Sequence, residues 1–256
     1  MMPENLFEIT VPVAPLRSSP SDRAEMVSQM LAGEYCRFIA HGEKDWIEVE
    51  LVNDGYKGWC DVKQLRSLPL NSEAGHSNTS VLTQAPISLW RRENGAQLAL
   101  PAGSRLQCSL TGEWQLSGSS IEPLTALDVC FAPCASPLEV AMNLLGSPYL
   151  WGGKTALGVD CSGLTQLSFF LCGMLLPRDA SDQKKVGSPI EFEARASGDL
   201  AFFSNEQGAI IHVGILANEG SIVHAAGEVC MDEFDSKGIS SEGNNTHVLD
   251  SIRRIN

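Results

Sequence analysis

The stretch GVDCSGLTQLSFFLCG, residues 158–173, sets a polar Asp-Cys-Ser at the start of an apolar run. Leu164, Leu167, Phe170 and Leu171 recur at helical spacing, which predicts a helix with Asp160 as its N-cap and Cys161 in its first turn. A buried cysteine is most often an inert small hydrophobe. At a helix start, however, a thiol faces unpaired backbone N–H groups and the positive end of the dipole, and both lower its pKa. The expectation is a nucleophilic thiolate, which then needs a base and something to orient that base.

The chain has five histidines. His76 lies in the polar run NSEAGHSN, His41 precedes GEKD and reads as a loop residue, and His247 reads as surface or strand edge. His212 and His224 differ from these. AIIHVGIL places His212 inside an apolar strand, SIVHAAG places His224 on the next, and ANEG between them is a hairpin turn. Antiparallel pairing brings both imidazoles to one face, where a buried ring needs a polar partner. One ring can accept the Cys161 proton while the other fixes its tautomer. A lone strand histidine is more often a satisfied core residue; two on adjacent strands beside a helix-start cysteine reverse that. An oxyanion needs donors, for which the Cys161 backbone N–H and the Tyr149 hydroxyl are candidates; for Tyr149 and Trp151 aromatic packing is the alternative. Gly152-Gly153 reads as a tight turn that lets backbone approach the site.

These residues need elements to hold them. Residues 136–256 read as short helices followed by a meander of antiparallel strands, an α+β domain: SPLEVAMNLLG is a Ser-Pro helix opening that runs to a Gly, and GDLAFFS, AIIHVGILAN, GSIVHAAG and THVLDSIRRI are strands. Ahead of it, residues 1–70 read as a small β-barrel or sandwich of short strands with an Asp-Gly hairpin turn in NDGYKGW. A linker at 71–78 separates it from residues 79–132, a weaker repetition of the same pattern.

The 256 residues carry 18 Lys and Arg against 31 Asp and Glu, a net charge of −13, which argues against nucleic-acid and anionic-membrane partners. The start lacks a basic region followed by an apolar one, so no export signal is read there. The eight cysteines, at 36, 60, 108, 130, 134, 161, 172 and 230, form no CxxC pair and no zinc-ligand spacing. They suit a reducing compartment better than a disulfide framework, and the cytoplasm is the expected location. No cofactor and no metal is expected. A monomer is favoured, with the oligomeric state left open.

Taken in series, PYLWGGKTALGVDCSGL, LPRDASDQ, GDLAFF, HVGIL and IVHAAG resemble the catalytic domain of the NlpC/P60 cell-wall peptidases. PLRSSPSDRAEMVSQMLAGE and DGYKGWCDVKQL resemble a bacterial SH3 (SH3b) domain, and 79–132 a degenerate second one. The resemblance implies a papain-like catalytic domain preceded by two small all-β SH3b barrels. It makes Cys161 the nucleophile, His212 the base and His224 the orienting third member. Tyr149 would serve the oxyanion hole, and Asp160 and Ser162 would line the acyl side of the cleft.

The domain order resembles that of γ-D-glutamyl-L-diamino acid endopeptidases, whose substrate is a murein stem peptide with a free N-terminal L-Ala, here recycled peptide rather than intact wall. Glu25, Tyr56 and Asp179 would capture the ammonium; their plain readings are a surface acid, a core aromatic and a loop cap. The chain has Ala180 where related enzymes often carry Ser or Tyr. Two other readings stay open at this point: a papain-like amidase or acyltransferase on another substrate, and a non-catalytic peptidoglycan-binding protein.

Overall fold

Strand-forming, β-branched and aromatic residues interrupted by Gly and Asp turns dominate the first half of the chain, and the architecture there is all-β. The structure is a computed structural model and describes residues 6–68, 80–218, 220–241 and 243–255. The linker histidine His76 lies outside the described residues. By backbone contacts the chain divides into two compact units, 1–133 and 134–256.

In the first unit, seven strands between Leu6 and Ser67 form one antiparallel sheet and six between Ser80 and Pro123 form another. Alternation sends Ile9, Leu16, Met30, Ile47 and Val49 into one core, and Trp90, Leu98, Leu100 and Leu106 into the other. The two sheets are stitched together. Ala32, in the turn of the first, belongs to the core of the second, and its carbonyl accepts the Arg105 amide at 2.8 Å. His41 ends the strand Tyr35–His41, with its ring against Phe38 at 4.6 Å, instead of lying in a loop.

The second unit starts with the helix Pro137–Met142, capped by Ser136 and with Pro137 in its first turn. It stops short of Gly146. The helix that starts at Cys161 spans Cys161–Leu171, and Gly173, at φ +82°, follows its end. Every residue from Cys161 to Phe169 is buried, so its start is enclosed instead of presenting one wet face. Leu164, Leu167 and Phe169 pack with Phe202, Val213, Ile215 and Val223 of the sheet, each worth about 1.5–3 kcal/mol of apolar burial.

The sheet runs in the order Ser188–Ile190, Asn244–Arg254, Leu200–Ser204, Ile210–Asn218, Ser221–Ala226, Glu228–Asp235, Gly238–Ser241. The long last strand pairs with Leu200–Ser204 and also with Gly238–Ser241, so six strands close on themselves. Ala201, Phe203, Leu216, Ile222, Phe234 and Ile239, at alternate positions, form a second core. Among the described residues no helix is long and apolar enough to cross a membrane.

Candidate active site

Cys161 is held by its own helix start. Asp160 Oδ1 accepts the Gly163 amide at 2.7 Å and Oδ2 accepts the Gly152 amide at 2.7 Å, so one carboxylate both caps the helix and closes the glycine turn. Arg178 binds that carboxylate through two nitrogens, at 3.0 and 2.6 Å, and donates to Ser162 Oγ at 2.8 Å. Gly163 is required by space: a Cβ there would stand 2.1 Å from the Gly153 carbonyl oxygen. Gln183 adds a further clamp, accepting from Thr165 Oγ1 at 2.7 Å and donating to the Ser162 carbonyl at 3.0 Å. LPRDASDQ is therefore the segment that fixes the start of the Cys161 helix.

His212, the expected base, lies one residue from a group that touches the sulfur. The Val213 amide hydrogen-bonds the Cys161 sulfur, and Val213 follows His212 on the strand Ile210–Asn218. Gly214 pairs directly opposite His224, and a Cβ at 214 would meet the Ile222 side chain at 2.7 Å and the His224 Cβ at 3.0 Å, so glycine leaves room for both side chains. His212 Nε2 lies 2.8 Å from His224 Nδ1, and His224 Nε2 lies 3.1 Å from Asp232 Oδ2. The carboxylate only accepts, so His224 donates through Nε2 and accepts at Nδ1. His212 must then donate through Nε2, which leaves its Nδ1 lone pair as the basic site.

Two features of this chain depart from the sequence reading. His247, expected at the surface or a strand edge, is half-buried with its ring stacked on His212, centroids 4.2 Å apart at 25°. Closure of the sheet by the last strand carries it there. The thiol, expected to be acidified by the helix end, is shifted the other way. Burial pushes Cys161 up to about 11, with Asp160 adding, while the Val213 and Ser162 amides and Arg178 pull down. Burial, then His247 and His224, drives His212 down to about 2. Burial opposes the helix dipole at the thiol and pushes both groups toward their neutral forms.

Burial, reinforced by Cys161 and Asp160 and opposed by Arg178, raises Tyr149 to about 12, so its phenol keeps its proton and remains a donor. Tyr149 lines a cavity of about 300 Å³ together with His212, His247, Ile211, Ala225 and Gly227. Asp160 and Ser162 are 5% and 7% exposed and engaged with Arg178. Asp179 is exposed at the start of the short helix Ala180–Gln183. Glu25, exposed, and Tyr56, packed on the core of the first sheet, belong to the other unit.

Asp232 and Arg178 went unread in the sequence, and His247 was read there without a role in the site. Asp232 had one usable signal: VCMDEFD alternates, so Cys230 and Asp232 share a face with whatever pairs opposite.

Residues 146–246 match the family model described as NlpC/P60 family, and residues 16–65 that of the bacterial dipeptidyl-peptidase SH3 domain. The chain is 29% identical over 225 residues to a gamma-D-glutamyl-L-lysine dipeptidyl-peptidase of Bacillus subtilis, covering 77% of this chain and 71% of the relative. A protein of the same name from Bacillus cereus is 25% identical, with 75% of this chain and 62% of the relative covered. Dipeptidyl-peptidase 6 of Lysinibacillus sphaericus is 26% identical over 255 residues, 88% of this chain and 90% of that one. A crystal structure of an NlpC/P60 family protein from Bacillus cereus superposes with a TM-score of 0.77 at 21% identity, over 97% of this chain and 99% of that one; the likeness is one of fold.

Proposed function

We propose that this NlpC/P60 family cysteine peptidase, which carries a bacterial SH3 domain at residues 16–65, cuts the γ-D-Glu–L-diamino acid bond of murein stem peptides with a free N-terminal L-Ala, in the recycling of wall-derived peptide. Cys161 attacks the γ-carbonyl of D-Glu as His212 Nδ1 takes the thiol proton. The Cys161 backbone N–H and the Tyr149 hydroxyl receive the oxyanion. His212 then gives its proton to the departing amine, and water, activated by the same ring, hydrolyses the thioester. Residues 79–132 act in this reading as a second, degenerate SH3b module.

The observation that carries the proposal is the hydrogen-bonded series His212–His224–Asp232, whose first member adjoins the amide bound to the Cys161 sulfur. An inert core cysteine has no use for a base with a fixed tautomer. The names of the relatives support the substrate, since a dipeptidyl-peptidase removes two residues from a free N-terminus. Glu25, Tyr56 and Asp179 are the residues assigned to that ammonium.

The test is product mass from L-Ala-γ-D-Glu-L-Lys, its diaminopimelate counterpart and their N-acetylated forms. Wild type releases L-Ala-D-Glu from the free peptides, and Cys161→Ala does not. Cleavage by Cys161→Ala at the wild-type rate would sink the nucleophile. Equal rates on acetylated and free peptides would remove ammonium capture, and a normal rate in Glu25→Gln would remove that residue from it.

A further inference from the structure

Behind His224 the sheet assembles a second constellation, of a different chemistry. His224 and Cys230 are direct partners on the antiparallel strands Ser221–Ala226 and Glu228–Asp235. Asp232, two residues on, falls on the same face by the strand's period. The three side chains converge: His224 Nε2 lies 3.1 Å from Asp232 Oδ2 and 3.7 Å from Cys230 Sγ, and the sulfur lies 3.8 Å from that same oxygen. Tetrahedral zinc, with bonds of about 2.0–2.1 Å to N and O and about 2.3 Å to S, sets its ligands roughly 3.3–3.6 Å apart. The observed triangle is close to one face of that tetrahedron.

We propose that His224, Cys230 and Asp232 form a zinc site that holds the enzyme inactive; the metal site stands by itself, and its inhibitory effect rests on the peptidase reading above. One thiolate, one imidazole and one carboxylate are a mixed donor set suited to zinc, and neither magnesium nor calcium favours sulfur. Thiolate and carboxylate together neutralise the dication. Ser241 Oγ donates to Asp232 Oδ1 at 3.3 Å, fixing the carboxylate and leaving Oδ2 for the metal. His224 is 1% exposed while Cys230 and Asp232 are half-buried, so the cluster is walled on one side and accessible on the other, where water completes the shell.

Binding releases the Cys230 thiol proton to solvent, and zinc takes the place of the proton on His224 Nε2. The neutral ring has only that one proton, so His212 Nε2 passes its own across the 2.8 Å hydrogen bond to His224 Nδ1 while His212 takes up the displaced proton at its Nδ1. His224 Nδ1–H then points at His212 Nε2, which must accept. Carrying the Cys161 proton requires His212 to donate through the same nitrogen. The two arrangements exclude each other, so the metal stops the reaction without touching the nucleophile.

The test uses the full-length metal-free chain. Cobalt titrated into Cys161→Ala should give a thiolate-to-cobalt charge-transfer band that saturates at one equivalent and is displaced by zinc. The band should vanish in Cys161→Ala/Cys230→Ser and weaken in Cys161→Ala/Asp232→Asn, with unchanged far-ultraviolet circular dichroism showing that each is folded. In the peptidase assay, Cys230→Ser should keep its basal rate and need at least about tenfold more zinc for half-inhibition. No Cys230-dependent band overturns the site. A band without Cys230-dependent zinc inhibition overturns the coupling to catalysis. Wild type inactive on murein peptides overturns the peptidase reading and leaves the cobalt result unaffected, so the failures are distinguishable.

Discussion

Removing Arg178 should destabilise the 134–256 unit by about 3 kcal/mol, the lower end of the range for breaking a buried ion pair. The side chains of Arg178 and Asp160 are 2% and 7% exposed, so solvent cannot take over either charge. In Arg178→Leu the carboxylate retains the Gly152 and Gly163 amides at 2.7 Å and Ser162 Oγ at 3.3 Å, which limits the loss. Asp160→Ala should cost more, roughly 4–6 kcal/mol, because it strands a guanidinium and also removes an N-cap worth about 1 kcal/mol. The double variant strands neither charge and should lie well below the sum of the two, by at least about 2 kcal/mol.

For a unit of this size each kcal/mol moves the midpoint by about 4 °C, so Arg178→Leu should melt roughly 12 °C lower. The assay is a calorimetric scan with hydrogen exchange read by mass spectrometry, which assigns each transition to its unit. Losses that simply add would show that the pair is not coupled. A more stable Arg178→Leu would show that desolvation of the two charges outweighs their attraction, and the account of the helix start would be wrong.

The remaining expectations concern the same site. With Cys161 pushed up to about 11, its alkylation by iodoacetamide, followed on the Cys161 peptide by mass spectrometry, should climb nearly tenfold per pH unit from pH 6 to 9; a plateau below pH 7 would show a preformed ion pair instead. The folded thiol holds its proton over the interval from 9 to about 11 where an unfolded one has lost it, so this group also makes stability fall as pH rises through that window. His247→Ala should lower kcat/KM about 2–12-fold through loss of the ring stack, and His247→Phe should restore most of it; equal rates in all three proteins would deny His247 a positioning role. Gly163→Ala, which in an open helix gains close to 1 kcal/mol, should here cost about 1–3 kcal/mol in a denaturant titration, since the new methyl meets the Gly153 carbonyl at 2.1 Å.

The parts of the site legible in the sequence are those set by local chemistry. Asp160 as a cap, Cys161 behind it and two histidines on consecutive strands follow from spacing alone, and the structure brings His212 and His224 together at 2.8 Å. The unread parts depend on closure. His247 reaches His212 only because the last strand pairs at both edges and carries its ring back over the site. Asp232 acquires its role from the register His224↔Cys230, which a strand pattern does not reveal. Cys161 was expected to be acidified because a helix end is visible in sequence, whereas the burial that opposes it is a property of packing. The two β-modules read as separate, and Ala32 seated in the second core explains why they belong to one unit.

Burial pushes Cys161 and His212 toward a neutral pair, and that changes what the relay must do in the proposed reaction. If the thiolate were preformed, Asp232 and His224 would matter chiefly as charge partners of an imidazolium. With the proton on sulfur, His212 has to gain it during attack, and its affinity for that proton must rise as substrate enters. In the free protein burial, with His247 and His224 adding, keeps His212 low, and the ring of His247 is stacked against it. The developing oxyanion supplies negative charge beside it, and His224 polarised by Asp232 stabilises the imidazolium from behind. The hydrogen-bond direction is therefore the controlled quantity: His224 can stabilise a His212 cation only while it accepts at Nδ1. With burial pushing the free site toward thiol and neutral imidazole, that support would count most in the proposed reaction when a carbonyl is under attack and negative charge forms beside the ring.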